Sequence, residues 1–114
     1  MKLGQLQEIL EAEVLSGEDL LDTEVSSACV SDMMSDVLAF VKDQAVLLTG
    51  LVNSQVVRTA EMMDMKCVVF VRNKVPTEEI ITLAEKCGIV LMKSPKRAFE
   101  ACGRLYVNGM NTEA

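Results

Sequence analysis

Two short apolar runs, at residues 45–48 and 67–71, constrain this chain more than anything else in it. Between them lie a Thr49-Gly50 turn and an amphipathic stretch ending near Asp64. Neither run alternates polar with apolar, so each must be covered on both faces, as strands of a parallel sheet are. Two such strands joined by a helix form a βαβ crossover, which requires parallel pairing. The pattern then repeats. Pro76, Thr77, Glu78 and Glu79 open a helix whose stripe is Ile80, Leu83, Ala84 and Cys87, and Gly88 stops it. A third apolar run, 89–92, follows. Ser94-Pro95 then reads as N-cap and first residue of a last helix, with Ala98, Cys102 and Leu105 inward, Phe99 and Tyr106 flanking, and Gly109 as its stop.

The first half is less regular. Leu3, Leu6, Ile9 and Leu10 have helical spacing over residues 2–11. Val14-Leu15 reads as a short strand, Ser16-Gly17-Glu18-Asp19 as a turn, and 25–30 as a strand near an edge. Ser31 or Asp32 is expected to cap a helix carrying Met34, Val37, Leu38 and Val41. Asp32 and Asp36 share a face of that helix, with Asp43 further along. Capping and solvation account for them better than catalysis. Asn53 or Ser54 caps the helix that carries Val56, Val57, Ala60 and Met63. The expectation is one α/β domain over residues 1–114, with about four to five largely parallel strands, helices on both faces, and a frayed tail at 110–114.

Composition removes several function classes. Among 114 residues there is no His, the commonest general base and metal ligand, and no activated nucleophile stands beside a base. Cysteines at 29, 67, 87 and 102 lack metal-site spacing and read as buried, reduced thiols. No catalytic activity, metal or cofactor is expected. A net charge of −6 argues against a nucleic-acid partner. No apolar run reaches the roughly 18–20 residues of a membrane span, and the N-terminus lacks a secretory signal's apolar core; a cytoplasmic protein is expected.

In a parallel sheet ligands sit beyond the carboxyl ends of the strands. The sequence puts Thr49, Gly50 and Asn53 after the first strand of the repeat, Arg72, Asn73 and Lys74 after the second, and Lys93, Ser94, Lys96 and Arg97 after the third. Five of the eleven basic residues thus gather on one edge. Lys96 and Arg97 fall in the first turn of the expected last helix, where cations oppose the dipole unless an anion binds. Two readings stand: solvated loop charges, or a pocket for a small anion such as a nucleotide or phosphorylated metabolite. The Thr-Gly turn is neither a P-loop nor a dinucleotide fingerprint. Met33, Met34, Met62, Met63 and Met65 cannot all face one core, and Met62 lies off its helix's stripe. They either fill the core or help bury a homodimer surface.

Residues 48–60 (Leu-Thr-Gly-Leu-Val-Asn-Ser-Gln-Val-Val-Arg-Thr-Ala), 67–72 (Cys-Val-Val-Phe-Val-Arg) and 76–81 (Pro-Thr-Glu-Glu-Ile-Ile) resemble a DRTGG domain. So do residues 15–20, 31–40 and 99–106, so the likeness covers nearly the whole chain. Such domains are similar to the N-terminal domain of HPr kinase/phosphorylase, and occur in phosphotransacetylases and between the CBS modules of regulated pyrophosphatases. Stand-alone forms are met in anaerobes near iron-only hydrogenase genes. The resemblance implies a dimerising regulatory domain without catalysis of its own. The alternative is a protein–protein adaptor for a hydrogenase or other redox complex. The chain departs from the family motif at two turns. Thr49-Gly50-Leu51-Val52-Asn53 keeps a Gly but lacks Asp-Arg, and Val71-Arg72-Asn73-Lys74 stands where Thr-Gly-Gly is expected. These are the two turns that the strand-end rule picks out.

Overall fold

A computed structural model describes residues 1–40 and 46–113. Helix α1 (Leu3–Leu10) leads to strand β1 (Glu13–Ser16), a 3-10 turn (Glu18–Leu20), β2 (Ser27–Val30) and α2 (Met34–Phe40). The repeat follows as β3 (Val46–Thr49), α3 (Ser54–Met62), β4 (Cys67–Phe70), α4 (Glu78–Cys87), β5 (Val90–Lys93) and α5 (Ala98–Val107), and β6 (Thr112–Glu113) ends the chain. Among the described residues the sheet has six strands in the order β1-β5-β4-β3-β2-β6. β6, β2, β3, β4 and β5 run parallel, and β1 pairs antiparallel with β5. Val41, Asp43 and Ala45, which the sequence reading used, lie outside the described residues.

The uninterrupted apolar runs have a direct physical reason. In β4, Val68 and Phe70 pack on one face with α2, α3 and α4, while Cys67 and Val69 pack on the other with α1 and α5. β3 and β5 divide the same way: Leu47 and Leu91 face the first layer, and Val46, Leu48, Val90 and Met92 the second. A strand between two helical layers has no polar face to show.

Local signals placed the start of α3 and both ends of α4. Asn53 Oδ1 accepts the Val56 N–H at 3.1 Å and Thr77 Oγ1 the Ile80 N–H at 3.4 Å. Gly88 closes α4 at φ 70°. Of the methionines, Met34 and Met65 are core, whereas Met33 and Met62 are 60% and 73% exposed. Cys67 is buried, but Cys29, Cys87 and Cys102 are only half-buried, against the expectation of four buried thiols.

Three further expectations are corrected. The expected frayed tail at 110–114 is not seen over residues 110–113: Met110 is buried, and Thr112 and Glu113 register with Ser27 and Ala28, while residue 114 lies outside the described residues. Asp32 does not cap α2; its carboxylate turns to the loop after β3. Ser94 and Pro95 do not start α5, which begins at Ala98 with Arg97 at the N-cap and no side-chain cap bond. Ser94 is fully buried and serves the interior instead: its Oγ donates to the Leu10 carbonyl at 2.7 Å and accepts the Lys96 N–H at 3.1 Å.

Candidate functional site

Because β2, β3, β4 and β5 are parallel, their carboxyl ends open on one edge, and backbone hydrogen bonds carry the ladder beyond them. Ser31 N–H donates to the Leu48 carbonyl, Val71 N–H to Thr49, and Ser94 N–H to Phe70. The turn after β4 then takes two successive left-handed residues, Arg72 at φ 58° and Asn73 at φ 57°. Left-handed backbone costs a residue with a Cβ about 1–2 kcal/mol, so something must hold the turn. The loop after β5 does: Arg72 N–H donates to the Lys96 carbonyl at 2.8 Å and Asn73 N–H to the Ser94 carbonyl at 2.7 Å. This is the turn where the family motif has Gly-Gly, residues that adopt positive φ without strain.

Asp32, two residues past β2, ties the neighbouring turn. Its Oδ1 accepts the Gly50 N–H at 2.7 Å and the Thr49 hydroxyl at 2.9 Å. The Gly50 N–H, helped by the Thr49 hydroxyl and the charges of Arg72 and Lys74, holds this carboxyl below its ordinary value. The Arg72 guanidinium lies over Gly50. A Cβ at position 50 would run into its Nη2 and stand 3.5 Å from Asp32 Oδ2. Glycine here lets the guanidinium lie close over the turn, its φ being ordinary; a side chain would have to displace the end of Arg72.

An open cleft of about 340 Å³ results, lined by Val30, Asp32, Gly50, Val71, Arg72 and Ala98. Its apolar walls come from the ends of β2 and β4 and the first residue of α5, and its polar groups are one guanidinium and one carboxylate. Arg72 and Asp32 do not pair within 4 Å, and among the described residues Arg72 has no side-chain hydrogen bond or ion pair.

The residues singled out in the sequence separate into three groups. Gly50 and Arg72 line the cleft, and Thr49 supports it through Asp32. Asn73 and Lys74 are exposed beside it, and Arg97 is exposed at the α5 N-cap. Asn53, Ser94 and Lys96 are occupied elsewhere. Asn53 caps α3, Ser94 is spent on Leu10 and Lys96, and the Lys96 ammonium meets Glu11 at 3.1 Å and Glu100 at 3.6 Å. Arg104 pairs with the same two acids. Lys96 therefore sits before the helix, in a balanced cluster of two cations and two carboxylates.

Sequence reasoning missed Asp32, Val30, Val71 and Ala98. The signal for Asp32 was available: the strand-end rule applied to residues 25–30, as to the other three strands, leads to it. Among the described residues no cluster of three or more potential ligands could hold a metal, and no helix is long and apolar enough to cross a membrane.

Fold and cleft together define a mostly parallel α/β domain with one guanidinium and one carboxylate lining an open cleft at its strand-end edge. A family model, the DRTGG domain, matches residues 5–106, and the chain belongs to that family. Among solved structures it is similar to the CBS and DRTGG domains of the regulatory region of Clostridium perfringens pyrophosphatase, in complex with its activator diadenosine tetraphosphate. The TM-score is 0.69 at 19% identity, over 91% of this chain and 45% of that one. The likeness is one of fold, and the chain spans less than half of that structure. No curated protein sequence matches the chain.

Proposed function

We propose that this domain is a non-catalytic regulatory module that senses a small anionic ligand, a nucleotide or phosphorylated metabolite, in the strand-end cleft. The observation that carries this reading is the Arg72 guanidinium, which lines the cleft and, among the described residues, makes no hydrogen bond or ion pair, Asp32 acting on it only through its charge at longer range. Guanidinium groups suit phosphate, which they bind in a fork. The N-terminus of α5 adds to the same side: Ala98 lines the cleft, and the first N–H groups of a helix favour negative charge. The fold neighbour's regulatory region binds a nucleotide activator, which agrees with the ligand class. Lys96 drops out of the proposed contacts because Glu11 and Glu100 already meet its charge.

A ligand held there would touch the ends of β2, β3 and β4 and the start of α5 together. The outer side of α5 carries Phe99, Tyr106 and Val107, 94%, 63% and 81% exposed. That surface favours a homodimer in which ligand at one end of α5 alters a contact along it. It also suits the second reading, a protein adaptor without a small ligand.

Thermal unfolding against a panel of nucleotides and phosphorylated metabolites, with a salt control, separates the two. A ligand at about 100 times its Kd adds roughly 2.7 kcal/mol, several degrees for a domain this size. A saturable rise in Tm that Arg72→Gln abolishes supports the sensor. No rise with any compound refutes it in favour of the adaptor.

A further inference from the structure

The carboxylate opposite Arg72 is as unusual for an anion site as the guanidinium is apt. A bare phosphate entering the cleft would meet the charge of Asp32 as well as that of Arg72. Asp32 is held in place by the Gly50 N–H and the Thr49 hydroxyl, both on Oδ1. Among the described residues Oδ2 has no partner, and it lies near Gly50 on the cleft wall. Those two hydrogen bonds keep the group ionised. An ionised carboxylate oxygen accepts hydrogen bonds and donates none. The cleft therefore asks for a ligand with an anion at one end and a hydroxyl or amine donor close by.

We infer that Asp32 is a specificity residue of this cleft, accepting a ribose hydroxyl of a nucleoside monophosphate whose phosphate lies on Arg72. This deepens the reading given under Proposed function and rests on it. Ribose is chosen over the base on distance. Asp32 and Arg72 flank the same glycine, so the two recognised groups must be near neighbours in the ligand, and the sugar is the part that carries the phosphate. Strand-end carboxylates also meet ribose hydroxyls in dinucleotide-binding α/β sheets. The volume fits: about 340 Å³ is at the low end of small-molecule pockets, enough for one nucleotide's sugar and phosphate against Val30, Val71 and Ala98.

The test is calorimetric titration, in EDTA, of wild type and Asp32→Asn with three probes: AMP, 2′,3′-dideoxy-AMP and inorganic phosphate. Asn keeps an oxygen for Gly50 and Thr49 but replaces the free acceptor with a donor. Wild type is expected to prefer AMP to the dideoxy compound by about 10–100-fold, the range of a hydrogen bond to a charged group. In Asp32→Asn that preference should vanish through loss of AMP affinity, while phosphate binds as well as before or more tightly. A merely structural Asp32 would weaken AMP and phosphate together, and that result overturns the assignment. So does a wild-type preference under threefold, which decides the matter even if the variant does not fold, and so does AMP binding that disappears in EDTA. In these cases Arg72-dependent phosphate binding still leaves the anion site standing. If wild type binds neither AMP nor phosphate, both the inference and the sensor reading fail.

Discussion

Replacing Ser94 with Ala should destabilise this domain far more than its small volume change suggests. The side chain is fully buried, and its single oxygen serves two backbone groups, the Leu10 carbonyl at 2.7 Å and the Lys96 N–H at 3.1 Å. A neutral hydrogen bond contributes about 0.5–1.5 kcal/mol net, and a buried group left without a partner costs about 1–3 kcal/mol. Losing both bonds should therefore cost about 2–3 kcal/mol. An unfolding entropy of about 2.1 cal/mol/K per residue turns that into a Tm lower by roughly 8–12 °C for a chain this long. The assay is thermal unfolding by circular dichroism, with Ser31→Ala as internal control. The Ser31 hydroxyl also bonds backbone, at Met33, but locally and in an exposed setting, so its loss should stay within about 0.5 kcal/mol. The loop that Ser94 anchors also supplies the Lys96 carbonyl that accepts the Arg72 N–H, so anion affinity should fall as well. A Ser94→Ala protein that melts within 2 °C of Ser31→Ala, about the width of that surface effect, would show that the loop stands without the tether.

Arg72→Gly should keep or raise stability, by up to about 1 kcal/mol in a denaturant titration, because glycine relieves the left-handed backbone; the same variant should lose anion binding, whereas a clear loss of stability would mean that the guanidinium supports the fold. The Asp32 carboxyl lies below its ordinary 3.8, so its stabilising contribution is complete above that value and disappears as pH falls through the lower, folded value. The Tm gap between wild type and Asp32→Asn should stay constant from about pH 7 to 5 and close below about pH 4; a gap unchanged down to acid unfolding would refute this. Gly17 stands at φ 81°, and a Cβ there would meet Val90 Cγ2 at 2.8 Å, so Gly17→Ala should cost about 1–3 kcal/mol in chemical unfolding. Burial pushes the Cys67 thiol far up and the Cys29 thiol to about 11. Iodoacetamide at pH 8 should therefore label Cys67 only at the rate of global unfolding, read by peptide mass spectrometry, and rapid native labelling would contradict its burial.

The parallel unit from β3 to α5 was legible because its signals are local. A run such as Cys67, Val68, Val69 and Phe70 has no polar position, and only a strand covered on both faces can bury it. Caps at Asn53 and Thr77 and the stop at Gly88 act on backbone within a few residues, so the sequence alone places them. The edge carrying the candidate site followed from strand direction, and it led to Gly50 and Arg72.

What the sequence could not decide was set by contacts between distant segments. Ser94-Pro95 has the local form of a helix start, yet Ser94 is held by a carbonyl 84 residues away and the helix begins at Ala98. Lys96 reads as a free cation until α1 brings Glu11 to it. Asp32 reads as a cap until the pairing of β2 with β3 sets it beside Thr49 and Gly50. Thr112 and Glu113 become a strand only because β2 leaves an edge for them. Apolar spacing along the chain encodes which residues must be buried. Which charge or hydroxyl stays free to meet a ligand depends on the partners that folding brings from elsewhere, and only the tertiary structure holds that information.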